Sequence, residues 1–385
     1  MQASNVRTPI AGHSGTIFVA IELSQHRWLV TMHSPDRDRV SRHNVEGGDT
    51  TKLLGLIERV RARARDALGS EPRVVSCFEA GYDGFWLHRW LEAAGIMNFV
   101  FDPASIAVDQ RARRAKTDRI DGELLLRTLM AYCRGEPRVV RIVRVPTPEQ
   151  EDARRATRER ERLIKEQTAH SNRIKALLRL WGVGADSLPR RDWGAWLDSQ
   201  RDRNGEPLRP SVVAELKREH ARLMLVREQL KELGRATEDE PVSAAAAEMA
   251  HRSATLKQLK GLGAVLAATL TNEVFYKAFD NRREVASYSG LAPSPWRSGR
   301  TNREQGISKA GNPRARAKAI ELAWLWLKHQ PDSALSRWFH ERTGQGGGRI
   351  RRIAIVALAR KLMVALWRFL TTGLVPDGAV LKAAA

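Results

Sequence analysis

Cysteine is nearly absent from this chain, and so are long apolar runs. Only Cys77 and Cys133 occur in 385 residues, far apart and without the spacing of a zinc site, which excludes a disulfide scaffold and argues for reduced core thiols in a cytoplasmic protein. No apolar stretch approaches the roughly 20 residues of a membrane-spanning helix. The best candidate, residues 353–370, is interrupted by three basic residues and is typical of a buried or groove-facing helix. The first 15 residues lack the apolar core of a signal peptide, so none is predicted.

Acidic residues are too few to balance the basic ones. Lys and Arg total 65 against 44 Asp and Glu, which gives a formal net charge of +21 and a pI near 10.8. So basic a chain predicts a polyanionic partner, with nucleic acid first and a membrane surface as the rival. The length suffices for two or three domains with ordinary cores.

The first 145 residues alternate between strand-like and helix-like patterns. Apolar runs predict strands at 16–23, 27–34, 39–45, 73–79 and 97–101, and amphipathic patterns predict helices at 50–68, 85–95 and 117–135. Three strands followed by alternating helix and strand indicate an α/β layer built on a mixed sheet.

The pattern changes after Pro146. Residues 147–182 and 211–236 predict two long, charge-rich helices joined by a Gly-, Trp- and Pro-rich stretch, as in a helical hairpin or a dimerising coiled coil. The C-terminal part is predicted to be helical apart from a basic loop at 294–319. The fold class is therefore α/β plus all-α, with this division: a disordered tail at 1–14, an acidic α/β domain at 15–145, a helical linker at 146–240, a C-terminal domain at 250–375 and a tail at 376–385.

Four carboxylates occupy positions where an α/β domain can gather them. Glu22 and Glu79 end two predicted strands, and Asp118 and Asp121 lie three residues apart on one helix face. Carboxylates brought within a few ångström repel by about 1 to 4 kcal/mol per pair in a wet site, so such a cluster needs cations. Hard oxygen ligands suit Mg²⁺ or Mn²⁺. Taken singly, each has a plainer explanation: a solvated strand end, a helix N-terminus, or a pair with an arginine of residues 110–119.

Residues 256–270, LKQLKGLGAVLAATL, follow the pattern of a helix-hairpin-helix element. Gly261 and Gly263 would allow a tight turn, and the amides that follow could bind a phosphate without reading base sequence. Simple helix packing is the alternative. The basic residues at 111–119 are compatible either with a phosphate backbone or with solvated charge.

Several motifs together resemble the DEDD transposases of the insertion-sequence-110 family. They are VAIELS, CFEAGYDG, AKTDRIDGELL, LKQLKGLGAVLAATLTNEV, SYSGLAPSPWRSG, GISKAGNPRAR and IAIVALARKL, which span nearly the whole chain in the family's order. The resemblance implies an N-terminal RuvC-like domain with an RNase H fold, a long helical linker and a C-terminal transposase domain that supplies a serine nucleophile. It implies a DNA recombinase of an insertion sequence that acts through a covalent phosphoserine.

The resemblance assigns roles to individual residues. Glu79, Asp118 and Asp121 match the second, third and fourth acidic positions, and Glu22 matches the first, where the family has aspartate. The extra methylene of Glu22 adds about 1.5 Å of reach, so the metal site is expected to be shifted or weakened. Ser298 matches the nucleophile, with Ser294 as the alternative.

The remaining expected contacts are with nucleic acid. Arg297, Arg300 and Arg303 are expected to clamp the scissile phosphate where Gly299 lets the backbone approach. The full set of predicted nucleic-acid contacts is Arg111, Arg113, Arg114, Lys116, Gly261, Gly263, Arg297, Arg300, Arg303 and Lys309. The family further implies donor and target DNA, a structured non-coding guide RNA, a homo-oligomer (dimer or tetramer), no membrane, and action at the bacterial nucleoid.

Two other functions stay open on the sequence alone. A hydrolytic RuvC-like nuclease would use water as the nucleophile and form no protein–DNA adduct. A non-catalytic nucleic-acid-binding derivative would bind with steep salt dependence but need no metal, and Glu22 is its one sequence hint.

Overall fold

The computed structural model describes residues 15–82, 84–106, 118–185, 187–189, 191–235, 244–298, 301–344 and 346–382. The chain divides into two compact units, residues 1–146 and 147–385. Each unit has its own apolar core. The separate linker and C-terminal domain of the sequence division stay predictions.

The N-terminal unit is a mixed five-stranded sheet with helices on both faces. Its elements are β1 (Thr16–Glu22), β2 (Arg27–Ser34), β3 (Arg37–Glu46), α1 (Thr50–Leu68), β4 (Arg73–Glu79), α2 (Trp86–Ala93), β5 (Met97–Phe101) and α3 (Asp118–Cys133). The strand order is β3-β2-β1-β4-β5, with β1 antiparallel to β2 and parallel to β4, and with β4 parallel to β5. This order is consistent with the expected RuvC-like fold.

Strand β1 lies at the centre of the sheet and is buried on both faces, which explains its unbroken apolar run. Ile17, Val19 and Ile21 pack with the side chains of α1 and α2. Phe18 and Ala20 face the other way, into a cluster that includes Leu125, Leu126 and Leu129 of α3. Alternation along the strand therefore assigns α3 to one defined face of the sheet.

The C-terminal unit is mostly helical. Its elements are α4 (Pro148–Leu180), α5 (Trp193–Ser199), α6 (Pro210–Arg235), α7 (Ala244–Lys257), α8 (Ala264–Leu270), a π-helical turn (Thr271–Phe275), α9 (Arg282–Tyr288), β6 (Pro293–Ser298), β7 (Thr301–Ile307), α10 (Pro313–His329), α11 (Ala334–Thr343) and α12 (Gly348–Thr372). Helix α4 begins with a capping box, in which Thr147 and Gln150 satisfy each other's backbone amides.

Helices α4 and α6 form an antiparallel pair. His170 Nδ1 lies 2.7 Å from Glu219 Oε2, and Arg173 Nη2 donates to Glu215 Oε1 at 2.7 Å. The later residue of α4 contacts the earlier residue of α6, so the two helices run in opposite directions. An apolar cluster that includes Leu178 holds the end of the pair together. A dimerising role for this pair stays a prediction.

Helix α12 fills the centre of the C-terminal unit. Leu358, Leu362 and Leu366 are fully buried, as the interrupted apolar run of residues 353–370 predicted. Among the helices that the structure describes, none is long and apolar enough to cross a membrane. The two cysteines are buried free thiols, as expected, and burial raises the pKa of Cys133 to about 11.

The loop predicted at residues 294–319 is wrong in its last part, because Asn312 caps helix α10 and Pro313 begins it. It is also wrong in its first part. The chain forms an antiparallel β-hairpin there, with Ser298 paired to Thr301 and Trp296 paired to Arg303. Its strands, PSPWRS and TNREQGI, contain few apolar residues, so they leave little hydrophobic periodicity from which a strand could be predicted. Gly299, between two short polar runs, was the available sequence signal for a tight connection.

Candidate active site

Two of the four predicted carboxylates lie side by side at one edge of the sheet. Ile21 of β1 is in register with Phe78 of β4, so Glu22 and Glu79 are the next neighbours along these parallel strands. Adjacent strands lie about 4.8 Å apart, and alternation directs both residues to the face that α3 covers. Glu79 is exposed and Glu22 is half-buried. The sheet thus makes an exposed and a half-buried glutamate neighbours at one edge.

Gly122 brings the first turns of α3 close to this edge. A Cβ on Gly122 would lie 2.6 Å from Thr31 Oγ1 and 3.4 Å from Leu29 Cδ2. Leu29 is the strand partner of Glu22, and Thr31 is the partner of Ala20. The backbone of α3 next to residue 121 therefore lies against β2 at the level of Glu22. Sequence reasoning missed this role of Gly122, although a glycine inside a helix pattern is a signal of close packing.

Asp118 is the first residue of α3, one turn before Asp121. The side chain of Asp118 lies outside the described part of the structure. Within the described ranges, no group of three or more His, Cys, Asp or Glu side chains is close enough to hold a metal ion. The described carboxylates fit Mg²⁺ or Mn²⁺ in donor type, as hard oxygens, but a complete ligand set is not formed by them alone.

The plainer explanation of Asp121 is an ion pair with an arginine of residues 110–119. Asp121 is half-buried and forms no ion pair with any residue in the described ranges. Its neighbour Glu123 is different, because it pairs with Arg42 of β3 and fixes α3 to the sheet. Four of the predicted nucleic-acid contacts lie outside the described residues: Arg111, Arg113, Arg114 and Lys116.

Ser298 and Ser294 occupy opposite ends of strand β6. Ser298 ends the strand and pairs with Thr301, whereas Ser294 lies in the irregular pairing at the base, between two prolines. The side chains of residues 297, 298 and 301–304, which include Arg297 and Arg303, lie outside the described part, and so do residues 299 and 300. Trp296 is 55% exposed on the same strand. The backbone thus presents Ser298 at the far end of a two-stranded ribbon.

The root of this hairpin is tied to the helices that flank it. The amide of Ser308 donates to the carbonyl of Ala292 at 2.8 Å, one step beyond the end of β7. Lys309 has a positive φ of 56°, and its carbonyl accepts from Arg316 Nη1 at 2.8 Å. The predicted contact Lys309 is therefore an exposed residue at the hairpin root, and its role with nucleic acid stays a prediction.

The two glycines of the helix-hairpin-helix pattern lie in the turn between α7 and α8. Gly261 has a φ of +95°, and a Cβ there would lie 2.9 Å from the Cβ of His329. A Cβ on Gly263 would meet nothing within 4 Å, so the backbone at the start of α8 is open. Leu262, between the two glycines, and Leu259, just before them, are buried in the core. The geometry permits a phosphate contact at Gly263, which stays a prediction.

A buried carboxylate in the C-terminal unit escaped sequence reasoning. Glu273, in the π-helical turn, is 2% exposed. Arg158 of α4 donates to both its oxygens, from Nε at 2.7 Å and from Nη2 at 3.0 Å, and Asn312 Nδ2 donates at 2.9 Å. Burial by itself raises the pKa of Glu273, but the hydrogen bonds from Arg158 and Asn312 outweigh it and leave the pKa lowered. The available signal was that Glu273 is the one charged residue in the sequence segment 261–276.

A RuvC-like sheet with carboxylates at its carboxyl edge, followed by a helical unit with a serine-bearing hairpin, is the plan of a DEDD-type transposase. Known proteins agree with that class. Residues 12–181 match a family model described as a transposase, and residues 253–363 match the model of the transposase IS116/IS110/IS902 family.

Full-length relatives extend the match. The chain is 47% identical over 395 residues to the putative transposase y4rJ of Sinorhizobium fredii, covering 99% of this chain and 100% of that protein. It is 26% identical over 315 residues to y4qE of the same organism, which carries the same description, covering 80% of this chain and 71% of that protein. The chain belongs to the IS110 family of transposases.

Proposed function

We propose that this transposase cuts and rejoins DNA with Ser298 as the nucleophile, and that Glu22, Glu79, Asp118 and Asp121 form its metal-binding acidic cluster. The observation that supports the cluster most strongly is the register of β1 and β4. It makes Glu22 and Glu79 neighbours on the face that α3 covers. The backbone of α3 approaches the same edge at Gly122, next to Asp121.

The proposed chemistry conserves the energy of the cleaved bond. The Ser298 hydroxyl loses its proton as Oγ bonds to the scissile phosphorus, and the bond to the leaving deoxyribose oxygen breaks. That oxygen takes up a proton, and the DNA end stays attached as a phosphoserine ester. A deoxyribose hydroxyl then attacks the same phosphorus and releases the serine, which joins the strands without an external energy source. A serine hydroxyl is a weak nucleophile by itself and needs a base or a metal nearby.

The acidic cluster is proposed to supply that activation. The carboxylates would hold Mg²⁺ or Mn²⁺, and such an ion stabilises the charge that develops on the attacking and leaving oxygens. Ser298 and the carboxylates belong to different units, and the proposal is that the acidic cluster of the same or of another subunit activates Ser298. If the cluster belongs to another subunit, the active form is a homo-oligomer, and we propose a dimer or a tetramer.

Nucleic acid is proposed to lie along the basic surfaces of both units. The net charge of +21 favours a polyanion, and Arg297, Arg300 and Arg303 would oppose the charge on the scissile phosphate. The open backbone at Gly263 would contact a second phosphate. A structured guide RNA is proposed on the family resemblance alone.

The experiment uses labelled donor and target DNA, Mg²⁺ and the RNA transcribed from sequence that flanks the gene. Products are separated on a denaturing gel for the wild type, Ser298→Ala and Asp118→Asn. We expect a protein-linked DNA band in the wild type that both variants lose. A matched Ser294→Ala variant should retain the band, because Ser294 lies at the hairpin base.

Three results would contradict the proposal. Free cleavage that survives Ser298→Ala but not Asp118→Asn would indicate a hydrolytic nuclease. Loss of the band in Ser294→Ala alone would reassign the nucleophile. Tight binding without any cleavage, in the presence of metal and RNA, would indicate a non-catalytic binder, and Glu22→Asp would then test whether the longer side chain is the cause.

A further inference from the structure

Four segments that are distant in sequence meet at the root of the serine hairpin. Glu273 lies at the centre, with Arg158 contributed by α4 and Asn312 by the segment between β7 and α10. Arg158 is 115 residues from Glu273, and Asn312 is 39 residues from it. The fourth segment is the end of α9, where the carbonyl of Tyr288 accepts from the amide of Asn312 at 2.7 Å.

Asn312 makes more bonds than a helix cap needs. Its side-chain oxygen caps α10 by accepting from the amides of Arg314 and Ala315, at 2.9 and 3.2 Å. Its side-chain nitrogen donates to the Glu273 carboxylate and also to the Glu273 carbonyl, at 3.2 Å. Asn312 thereby fixes the chain four residues beyond Ser308, where the hairpin closes.

The preceding glycine fits this arrangement and no other residue would. Gly311 has a φ of +110°, and a Cβ there would lie 2.4 Å from the carbonyl oxygen of Tyr288 and 2.7 Å from that of Ser287. Any side chain would push the segment away from α9 and break the bond between Asn312 and Tyr288. The hairpin root is therefore held by close backbone contact on one side and by Glu273 on the other.

Helix α4 supplies the basic half of the network from two successive turns. Arg154 is 8% exposed, donates from Nε to the carbonyl of Asn272 at 2.9 Å, and lies over the Tyr276 ring at 3.9 Å. Arg158, four residues later, forms an ion pair with the Glu273 carboxylate. Both bonds converge on the π-helical turn Thr271–Phe275, whose extra residue lets Glu273 point into the core, and such turns are common at functional sites.

We propose that Arg158, Glu273 and Asn312 form a positioning network that fixes the root of the serine hairpin to α4 and so sets the line of attack of Ser298. This rests on the proposed function of Ser298. The Arg158 side chain is 42% exposed, so solvent screens the ion pair, and the pair is a poor source of net stability. Its bidentate geometry does fix orientation, and a misplacement of about 1 Å at a reacting group costs about a hundredfold in rate.

The test compares Arg158→Ala with Arg155→Ala. Arg155 lies on the same helix, one turn earlier, and pairs with the exposed Asp152 at 2.9 Å rather than with Glu273, which makes it a matched control. Two quantities are measured: the Kd for donor DNA, and the rate of protein–DNA adduct formation at saturating DNA. In Arg158→Ala we expect the rate to fall about tenfold to a hundredfold with the Kd unchanged within about twofold. Arg155→Ala should change neither quantity. Arg158→Lys keeps the charge but loses the bidentate bond, so its rate of adduct formation should lie between those of the wild type and Arg158→Ala.

Amide hydrogen exchange provides a readout that does not depend on catalysis. In Arg158→Ala, residues 301–312 should exchange faster, while the core peptides of α10 and α12 keep the wild-type rate. Faster exchange throughout the C-terminal unit would mean that the network only stabilises the fold, and would overturn the proposal. Wild-type rate at saturating DNA together with a weaker Kd would also overturn it, because Arg158 would then be a DNA contact.

Failure of the proposed function is distinguishable from failure of this inference. If the wild type forms no adduct, the serine mechanism fails, and unchanged exchange of residues 301–312 in Arg158→Ala would then reject the network as well. If the wild type forms an adduct that Ser298→Ala loses, while Arg158→Ala keeps the wild-type rate, only the network is rejected.

Discussion

The two units use carboxylates in opposite ways. At the edge of the N-terminal sheet, Glu22 and Glu79 are neighbours of like charge, and Glu79 is exposed. In the C-terminal unit, Glu273 is 2% exposed and takes two bonds from Arg158 and one from Asn312. A carboxylate buried inside the unit is supplied with a cationic partner by the chain itself. Carboxylates gathered at an accessible edge are instead suited to a cation from solution.

The largest expected effect is from Asp121→Asn. If the edge cluster holds the metal, loss of one ligand should lower the rate of strand cleavage by more than about a hundredfold, since the ion contributes several kcal/mol to the transition state. In Asp121→Asn, added metal ion should also stabilise the folded protein less than it stabilises the wild type. Mn²⁺ at about 100 times its Kd should stabilise the wild type by about 2.7 kcal/mol and the variant by much less, measured by thermal unfolding.

Asp102→Asn is the control for that comparison. Asp102 follows β5 at the same edge of the sheet, but it caps a short turn at Ala104 and pairs with Arg141 at 3.3 Å. Asparagine caps nearly as well, so rate and Mn²⁺ response should both stay near the wild type. Equal losses in the two variants would contradict a specific role for Asp121.

A smaller effect is expected from Glu273→Gln, on stability and its pH dependence. Leaving Arg158 without its carboxylate should lower the free energy of unfolding by about 1–3 kcal/mol at neutral pH. The folded pKa of Glu273 is lowered from 4.5, so its stabilisation is complete above that unfolded value and is lost as the pH falls through the lowered pKa. Because Gln does not titrate, the gap between wild type and variant should shrink below pH 4.5. Urea unfolding at several pH values measures it, and a gap that stays constant with pH would contradict the assignment.

The smallest effect is expected from Gly122→Ala. The new Cβ would lie 2.6 Å from Thr31 Oγ1, and overpacking of this kind costs about 1–3 kcal/mol, of which the better helix propensity of alanine returns about 1 kcal/mol. Thermal unfolding should show the net loss. Thr31→Ala in the same chain should recover it by removing the clash. No recovery in the double variant would mean that α3 is not limited by this contact.

Local pattern was sufficient for the elements with strong hydrophobic periodicity. The strands β1, β2 and β4 and the helices α1, α3 and α12 were predicted within a few residues, because each buries a regular apolar face. The sequence predicts a loop where the β6–β7 hairpin lies, because its strands contain few apolar residues and show no alternation of apolar and polar positions. The acidic positions came from strand ends and helix spacing, and the serine came from the family resemblance.

The family, the basic character, the mixed α/β order of the first unit and the positions of the four acidic residues can all be read from the amino-acid sequence. Which residues become neighbours in space depends on the folded arrangement. It placed Glu22 beside Glu79, brought Gly122 against Thr31, and joined Arg158 to Glu273 across 115 residues. Periodicity reports which face of an element is buried, but the partner on the other side is selected by packing and by the need to neutralise a buried charge, and neither is written in a local pattern.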